Sequence, residues 1–349
     1  MARSKAPAVE TRTALVLQGG AALGAYEAGV LRALLAAGRR CEIVTGCSIG
    51  ALMAAVFVAS RGDAAATLDD LWQRFAMPIN PFVPSLFAHT LPLPAGLYRP
   101  NPAYFAMPML ATSMYDNAPL LAALEEWVDF ERLNASNTEV IATAVEVKTG
   151  KLVEFSNRQG LTARHIAASA SLPPIFPALA VDGGEYWDGG LISSAPLRPA
   201  INAIEAHNQQ RRAAQWELIV VDLFARAPGA PRDMTETIQR AFELVFFGKF
   251  QSDMKLYQWM NAQLDLMLEV DRALPATSPV RKHPAYIKLK QHRRVDKLTL
   301  IRPQRPEDLG GPADFSPQTI AARIAMGQAD AALALAAPAR RGGARVRRR

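Results

Sequence analysis

Residues 13–24 read TALVLQGGAALG, so a short apolar run passes directly into a pair of glycines. The run at 13–18 is typical of a buried strand, and residues 23–37 carry apolar side chains at helical spacing before Gly38. Residues 41–46 and 49–59 repeat this order of strand and helix. Short alternating strands and helices predict an α/β fold in which helices cover a mainly parallel central sheet.

The net charge of the 349-residue chain is +7, but the charge is unevenly placed. Six arginines lie within the last ten residues, so the rest of the chain is close to neutral. Residues 281–297 form a second basic cluster, with seven Lys or Arg and one Asp. Such a cluster is attracted to anionic membranes, although a solvated surface explains it equally well. We therefore expect no nucleic acid partner and consider peripheral contact with an anionic membrane.

The cysteine content excludes a disulfide framework, because Cys41 and Cys47 are the only two cysteines. They form no cluster with histidines, so we expect no metal and no cofactor. The N-terminus lacks the apolar core of a signal peptide, which predicts a cytoplasmic protein. Charge-free stretches at 43–60 and 75–98 are interrupted by glycines or prolines, so neither is a good membrane span.

The chain is predicted to contain one large domain with flexible ends. We expect a flexible N-terminus at 1–12, a domain at 13–337 and a disordered Arg-rich tail at 338–349. Within the domain, the core motifs occupy 13–223 and a C-terminal extension occupies 224–337. Residues 77–108 are rich in proline and in apolar residues, so a solvated linker is not expected there.

A Gly-x-Ser-x-Gly pattern lies directly between the second predicted strand and the second predicted helix. Its residues are Gly46, Cys47, Ser48, Ile49 and Gly50. Such a turn lifts the serine hydroxyl above the sheet edge, and its glycines permit a sharp bend. The following helix also directs free N–H groups toward the serine. The pattern therefore marks Ser48 as a candidate nucleophile.

The glycine-rich segment with Gly19, Gly20, Ala21 and Gly24 lies between the first strand and the first helix. Acyl transfer from an ester places negative charge on the attacked carbonyl oxygen, and backbone N–H groups can stabilise that charge. A nucleotide-binding loop is the alternative, but neither Gly-x-Gly-x-x-Gly nor the Lys of a P-loop is present. We interpret the segment as an oxyanion-binding loop.

A serine nucleophile also needs a base, and Asp188 with Gly189 and Gly190 supplies a candidate. The two glycines allow the carboxylate to approach another loop closely. Asp182 precedes a similar Gly-Gly pair, but it is expected on the far side of a hairpin that leads to Asp188. No histidine shows a convincing pattern as a partner: His89, His165, His207, His283 and His292.

With these three motifs in this order, the chain resembles the patatin-like phospholipase family, and a bacterial branch of it in particular. The resemblance covers about 13–223 and implies a three-layer α/β/α fold. It also implies that Ser48 is the nucleophile and Asp188 its direct base, a dyad without histidine. The N–H groups of residues 19–21 would form the oxyanion hole, and the N–H of Ile49 would join them.

The sequence departs from the family pattern near the site. Many members have a third glycine at the position of Ala21, and Arg or Lys at the position of Leu23. Cys47 and Ile49 replace the more common Thr and Ala on either side of the serine. Cys47 is also a conceivable nucleophile, but the apex of the turn belongs to Ser48.

The resemblance implies a lipid acyl hydrolase, of phospholipase A or lysophospholipase type, that acts through a covalent acyl-enzyme. One alternative is a catalytically impaired, membrane-associating relative, which the departures at Ala21 and Leu23 favour. Another is an α/β-hydrolase with a histidine triad, which would require His207, His283 or His292. Residues 77–108 could cover or line the acyl pocket, and ordinary packing explains them equally well.

Overall fold

The computed structural model describes residues 11–77, 96–210, 214–224, 230–292, 295–305 and 311–336. Its centre is a mixed sheet. The strands are β1 (Thr11–Leu17), β2 (Ile43–Cys47), β5 (Glu139–Glu146), β6 (Leu152–Ser156), β7 (Leu179–Val181), β8 (Gly184–Asp188), β9 (Gln215–Val221) and β10 (Lys297–Ile301), while β3 (Arg99–Pro100) and β4 (Tyr115–Asp116) pair separately.

The order of strands across the sheet is β10-β9-β1-β2-β5-β8-β7, and β6 also pairs with β5. The five strands from β10 to β5 run parallel to one another. The pairs β5–β6, β5–β8 and β7–β8 are antiparallel. The prediction of a mainly parallel central sheet is therefore confirmed.

Helices connect and cover these strands. They are α1 (Gly24–Ala36), α2 (Ile49–Ala59), α3 (Ala64–Phe75), α4 (Pro102–Ala106), α5 (Ala118–Trp127), α6 (Phe130–Ala135), α7 (Ala163–Ser169), α8 (Leu197–Gln210), α9 (Met234–Ala273), α10 (Pro284–Gln291) and α11 (Pro317–Ala336). The apolar α2 is buried along nearly its whole length, whereas α3 buries one face after an Asp63 cap.

Side chains along β1 alternate between two cores, one on each face of the sheet. Leu15 and Leu17 pack in the core that also contains residues of α1, α2 and α3. Ala14 and Val16 pack in the other core, with residues of α8 and α9. A strand that is apolar on both sides suits a sheet covered on both faces. The three-layer α/β/α prediction is therefore also confirmed.

The first helix and the last described helix, α1 and α11, pack with their backbones in close approach. A Cβ atom added at Gly29 would lie 2.0 Å from the carbonyl oxygen of Ile324. One added at Gly327 would lie 1.9 Å from the carbonyl oxygen of Tyr26. The Tyr26 hydroxyl also donates to Asp330 at 3.0 Å. These contacts attach the C-terminal extension directly to the motif-bearing part of the chain.

The structure differs from the sequence-based expectations in three places. β1 begins at Thr11, within the predicted flexible end, because Thr11 and Arg12 pair with β9. The helix α9 continues through Gly248, although a glycine inside a helical pattern predicts a break there. The helix α8 was not predicted at all. The predicted tail at 338–349 and residues 78–95 lie outside the described residues, and the domain division stays a prediction.

Candidate active site

Ser48 lies between β2 and α2 with an unusual backbone conformation. Its φ and ψ are 55° and −126°, in a region that residues with a side chain rarely adopt. Ser48 caps α2, whose first turn closes with a bond from the Ala51 N–H to the Ser48 carbonyl at 2.9 Å. This turn places the hydroxyl at the carboxyl end of the parallel strands, where α/β proteins usually bind ligands.

The two glycines of the turn are required by close backbone approaches. A Cβ atom at Gly46 would lie 2.5 Å from the carbonyl oxygen of Gly50. One at Gly50 would lie 2.7 Å from the carbonyl oxygen of Leu17. The expectation that side chains would obstruct this turn therefore has a direct geometric basis.

Ser169, at the end of α7, holds the turn from outside. The backbone N–H of Ser48 donates to the Ser169 Oγ at 3.0 Å, and that hydroxyl donates to the Thr143 carbonyl at 2.7 Å. Ser169 is fully buried. The sequence does not single out Ser169 as a site residue, because a lone serine in a helix carries no signal of such a contact.

Asp188 ends β8 close to Ser48, whose side chain acts to lower the pKa of the carboxylate. The carboxylate accepts the Gly190 N–H at 2.7 Å, and the Cys47 thiol lies 3.7 Å from its Oδ1. A Cβ atom at Gly189 would lie 2.5 Å from the Thr143 carbonyl oxygen, so this position tolerates only glycine. The structure thus brings together the serine and the aspartate singled out in the sequence.

Burial raises the pKa of both acidic side chains beside Ser48, those of Asp188 and Cys47, but the consequences differ. Burial raises the pKa of Asp188 to about 6, although the contributions of Ser48, Gly190 and Cys47 act to lower it. The carboxylate is therefore mainly ionised at neutral pH. Burial, followed by the nearby charge of Asp188, raises the pKa of the Cys47 thiol well above its ordinary value. A buried thiol with a raised pKa is protonated at neutral pH and is therefore a poor nucleophile.

The glycine-rich loop adjoins the serine, since a Cβ atom at Gly19 would lie 3.0 Å from the Ser48 Cβ. The Gly19 N–H, however, donates to the Ser194 carbonyl at 2.8 Å. It is therefore committed within the protein, and its predicted place in the oxyanion hole needs correction. Among the described residues, the N–H groups of Gly20, Ala21 and Ile49 have no protein acceptor within hydrogen-bond distance.

A buried network of side chains supports this loop from below. The Gln18 side chain donates to the Ser194 Oγ at 3.2 Å and accepts the Leu223 N–H at 2.9 Å. The backbone N–H of Gln18 donates to Glu27 at 2.5 Å. Burial raises the pKa of Glu27 well above its usual value, although the hydrogen bond from the Gln18 N–H acts to lower it. The loop is thus fixed to the segment that follows β9 and to the segment that follows Asp188.

The other candidate residues lie elsewhere. Asp182 is three-quarters exposed and pairs with His165 at 2.9 Å. His207 and His292 pair with Glu139 and Glu205, respectively, and His283 caps α10. None of these four histidines contacts Ser48 or Asp188, and His89 lies outside the described residues.

In the described part of the chain, no group of three or more His, Cys, Asp or Glu residues could hold a metal ion. Over the same residues, no helix combines the length and apolar character needed to cross a bilayer.

A cavity of about 770 Å³ borders the loop that follows Asp188. Ile192 and Ser193 of this loop form one side of it, and α8 and α9 form the others. Most of its wall is apolar, including Leu197, Ile201, Leu256, Tyr257 and Met260. The amine of Lys249, on the same wall, donates to the carbonyls of Gly190 and Leu191. The sequence carried no signal of this cavity, because its walls come from separate elements.

Comparison with known sequences identifies the family. The sequence model described as patatin-like phospholipase matches residues 15–201, more than half of the chain. The chain therefore belongs to the patatin-like phospholipase family. The match contains all three motifs, and it ends before β9, α9 and α11.

Two curated relatives have names that refer to lipid hydrolysis. Lysophospholipase NTE1 of Cryptococcus neoformans is 25% identical over 246 residues, which is 68% of this chain and 12% of the relative. Patatin-like phospholipase domain-containing protein 7 of Rattus norvegicus is 27% identical over 192 residues, 52% of this chain and 12% of the relative. The matched region is thus about an eighth of each relative's length.

Among solved structures, VipD from Legionella pneumophila aligns with a TM-score of 0.39 and 16% sequence identity. The alignment covers 94% of this chain and 67% of the VipD chain.

Proposed function

We propose that the protein hydrolyses fatty acyl esters of lipids through a Ser48–Asp188 dyad. The observation that carries this proposal is the proximity of Ser48, on a sharp strand-to-helix turn, to the buried carboxylate of Asp188. A serine hydroxyl becomes a competent nucleophile when an adjacent base removes its proton. The family assignment and the lysophospholipase relative support a lipid ester as the substrate.

In the proposed reaction, the Asp188 carboxylate takes the proton of the Ser48 hydroxyl while Oγ attacks the ester carbonyl. The resulting oxyanion accepts hydrogen bonds from the N–H groups of Gly20, Ala21 and Ile49. Protonated Asp188 then gives its proton to the leaving alcohol, and an acyl-Ser48 ester remains. Water attacks this ester while Asp188 accepts a proton, and the proton returns to Ser48 as the fatty acid leaves.

The dyad predicts an acid limit to activity. Because Asp188 must be ionised to act as a base and burial raises its pKa to about 6, kcat/KM should be half-maximal near pH 6. Below that pH it should fall about ten-fold per unit, and above pH 7 it should be constant. A pH series with a soluble short-chain ester measures this, with circular dichroism at each pH to confirm folding. Full activity in folded protein at pH 4.5 would exclude Asp188 as the base.

We also propose that the cavity beside the Asp188 loop receives the acyl chain of the substrate. Its volume lies in the range usual for small-molecule sites, and its walls are mainly apolar. It adjoins the catalytic loop through Ile192 and Ser193. The earlier candidate for an acyl pocket was 77–108, of which residues 78–95 lie outside the described residues.

Filling the cavity with Ile201→Trp should reduce the preference for long acyl chains. Each buried methylene contributes about 0.8 kcal/mol, so the loss of two methylene contacts lowers kcat/KM on long chains roughly ten-fold. Activity on a four-carbon ester should change little. The control is Ala206→Trp, at an exposed position of the same helix that does not line the cavity. The same chain-length profile in both variants would place the acyl chain elsewhere.

Contact with a membrane stays a prediction. Exposed apolar side chains support it better than the basic cluster at 281–297 does. Phe105, Met107, Met109 and Leu110 are exposed, with Met109 at 95%. In the basic cluster, by contrast, Arg281 and Lys290 both pair with Asp271, at 2.7 and 3.0 Å. This pairing reduces the positive charge available to anionic lipids.

The competing interpretation is a lipid-binding protein without catalytic activity. A fluorophosphonate probe separates the two, because it reacts covalently only with an activated serine. Labelling of the protein at Ser48 supports the hydrolase. Absence of labelling in folded protein, together with no turnover on a panel of phospholipids, lysophospholipids and glycerides, favours the non-catalytic alternative.

A further inference from the structure

Arg323, on α11, is fully buried directly behind the glycine-rich loop. Its Nη1 donates to the carbonyl of Ala22 at 2.9 Å and to that of Asp314 at 2.7 Å. Its Nη2 donates to the carbonyl of Gly311 at 2.7 Å. The side chain therefore connects the loop beside Ser48 to the segment that precedes α11.

The guanidinium keeps its positive charge in this buried place. Burial lowers the pKa of Arg323 to about 10, and the charge of Asp314 opposes that shift. The group is therefore protonated at neutral pH. A buried cation is costly unless its hydrogen bonds are satisfied, and here they go to main-chain carbonyls. The loop thus has a permanent positive charge within hydrogen-bond distance of its backbone.

The hydrogen bonds of the loop form a chain that leads from Arg323 to Ala21. The Ala22 carbonyl, which Arg323 contacts, shares a peptide unit with the Leu23 N–H. That N–H donates to the Gly20 carbonyl at 3.0 Å. The Gly20 carbonyl in turn shares a peptide unit with the Ala21 N–H. Hydrogen bonds in series polarise one another, so a charge at one end strengthens the donor at the other.

The same contacts also fix the conformation of the loop. Ala21 has a φ of 48°, which is unfavourable for a residue with a side chain. The N–H of Ala22, the next residue, donates to the Pro312 carbonyl at 3.0 Å. Arg323 contacts the carbonyls of Gly311 and Asp314, on either side of that proline. Four hydrogen bonds therefore hold the strained Ala21 in place, and Arg323 donates three of them. We call this set of contacts the clamp.

We propose that Arg323 is a positioning residue of the oxyanion hole, which holds the Ala21 N–H in place and strengthens it as a donor. This inference rests on the proposed function. It assigns a role in the site to a residue of the C-terminal extension, outside the region matched by the family.

The test compares Arg323→Met and Arg323→Lys with the unchanged protein. Methionine removes the charge and all donors, so kcat should fall roughly ten-fold or more while KM stays within two-fold. Lysine keeps the charge with fewer donors, so its kcat should be intermediate. The matched control is Asp330→Asn, which weakens a buried contact of the same helix with Tyr26 but does not touch the loop. Its kcat should remain within two-fold of the unchanged protein.

Amide hydrogen exchange of residues 18–24 provides a readout that needs no substrate. Exchange in this segment should accelerate in Arg323→Met or Arg323→Lys and stay unchanged in Asp330→Asn. If a folded Arg323 variant keeps full kcat and normal exchange, the positioning role is wrong. An equal loss of kcat in Asp330→Asn would show that Arg323 contributes only to the general stability of the protein. If the unchanged protein has no esterase activity, the proposed function fails, and exchange still tests the clamp.

Discussion

Replacement of Ser48 by alanine is expected to lower kcat for lipid ester hydrolysis by at least about 10³-fold. The reason is that Ser48 alone supplies the oxygen that bonds to the acyl group, while its neighbours only bind and polarise the ester. Folding should be unaffected, because the backbone of the turn is held through the N–H and carbonyl groups of Ser48. Turnover of a lysophospholipid and labelling by a fluorophosphonate measure this effect.

Two further variants make the assignment specific. Cys47→Ala should still be labelled at Ser48, because the Cys47 thiol is fully buried and protonated. Ser156→Ala, on β6 away from the turn, controls for the loss of a serine hydroxyl in general. Labelling that persists in Ser48→Ala and disappears in Cys47→Ala would identify Cys47, and not Ser48, as the nucleophile.

Asp188→Asn should lower kcat by a similar factor and at the same time stabilise the protein. The amide cannot accept the proton of Ser48, so the nucleophile is not activated. The folded-state pKa of Asp188 is about 6 against an ordinary value of 3.8, so ionisation of this side chain opposes folding as pH rises. At pH 8 its removal should increase the free energy of unfolding by about 3 kcal/mol. Below pH 3.8 this gain should vanish.

Urea unfolding at pH 8 and at pH 3.5, alongside the kinetic assay, tests both effects. The control is Asp182→Asn, because Asp182 is exposed and its replacement removes only the ion pair with His165, so activity should be unchanged. Loss of activity accompanied by lower stability at pH 8 would indicate that Asp188 has a structural role rather than a catalytic one.

The layers of the fold could be predicted from the sequence because the relevant signals are local. The apolar run at 13–18 and the glycines after it define a strand and a turn without reference to distant residues. Helix α8 escaped prediction because its second and third residues, Arg198 and Pro199, interrupt the apolar pattern where the helix begins. The strand β1 was predicted to begin two residues too late, since a charged residue such as Arg12 gives no local signal of burial, whereas here it pairs with Trp216 of β9.

The candidate site was predictable where residue type and spacing express chemistry, as at Ser48 and Asp188. It was not predictable where the decisive contact joins distant segments. The hydrogen bond from the Gly19 N–H to the Ser194 carbonyl depends on how two distant loops pack together. The contacts of Ser169 with Ser48 and of Arg323 with Ala22 likewise join residues that no short motif connects.

The contact between Arg323 and Ala22 also bears on how the protein is made, since 301 residues separate the two partners. A ribosome adds about 5–20 residues per second, so the clamp forms roughly 15 to 60 s after Ala22 has been synthesised. During that interval Ser48 and its turn already exist in the nascent chain, but the loop beside them lacks its last support. For the proposed activity, the full rate is therefore expected only after α11 has left the ribosome and formed its contact with Ala22.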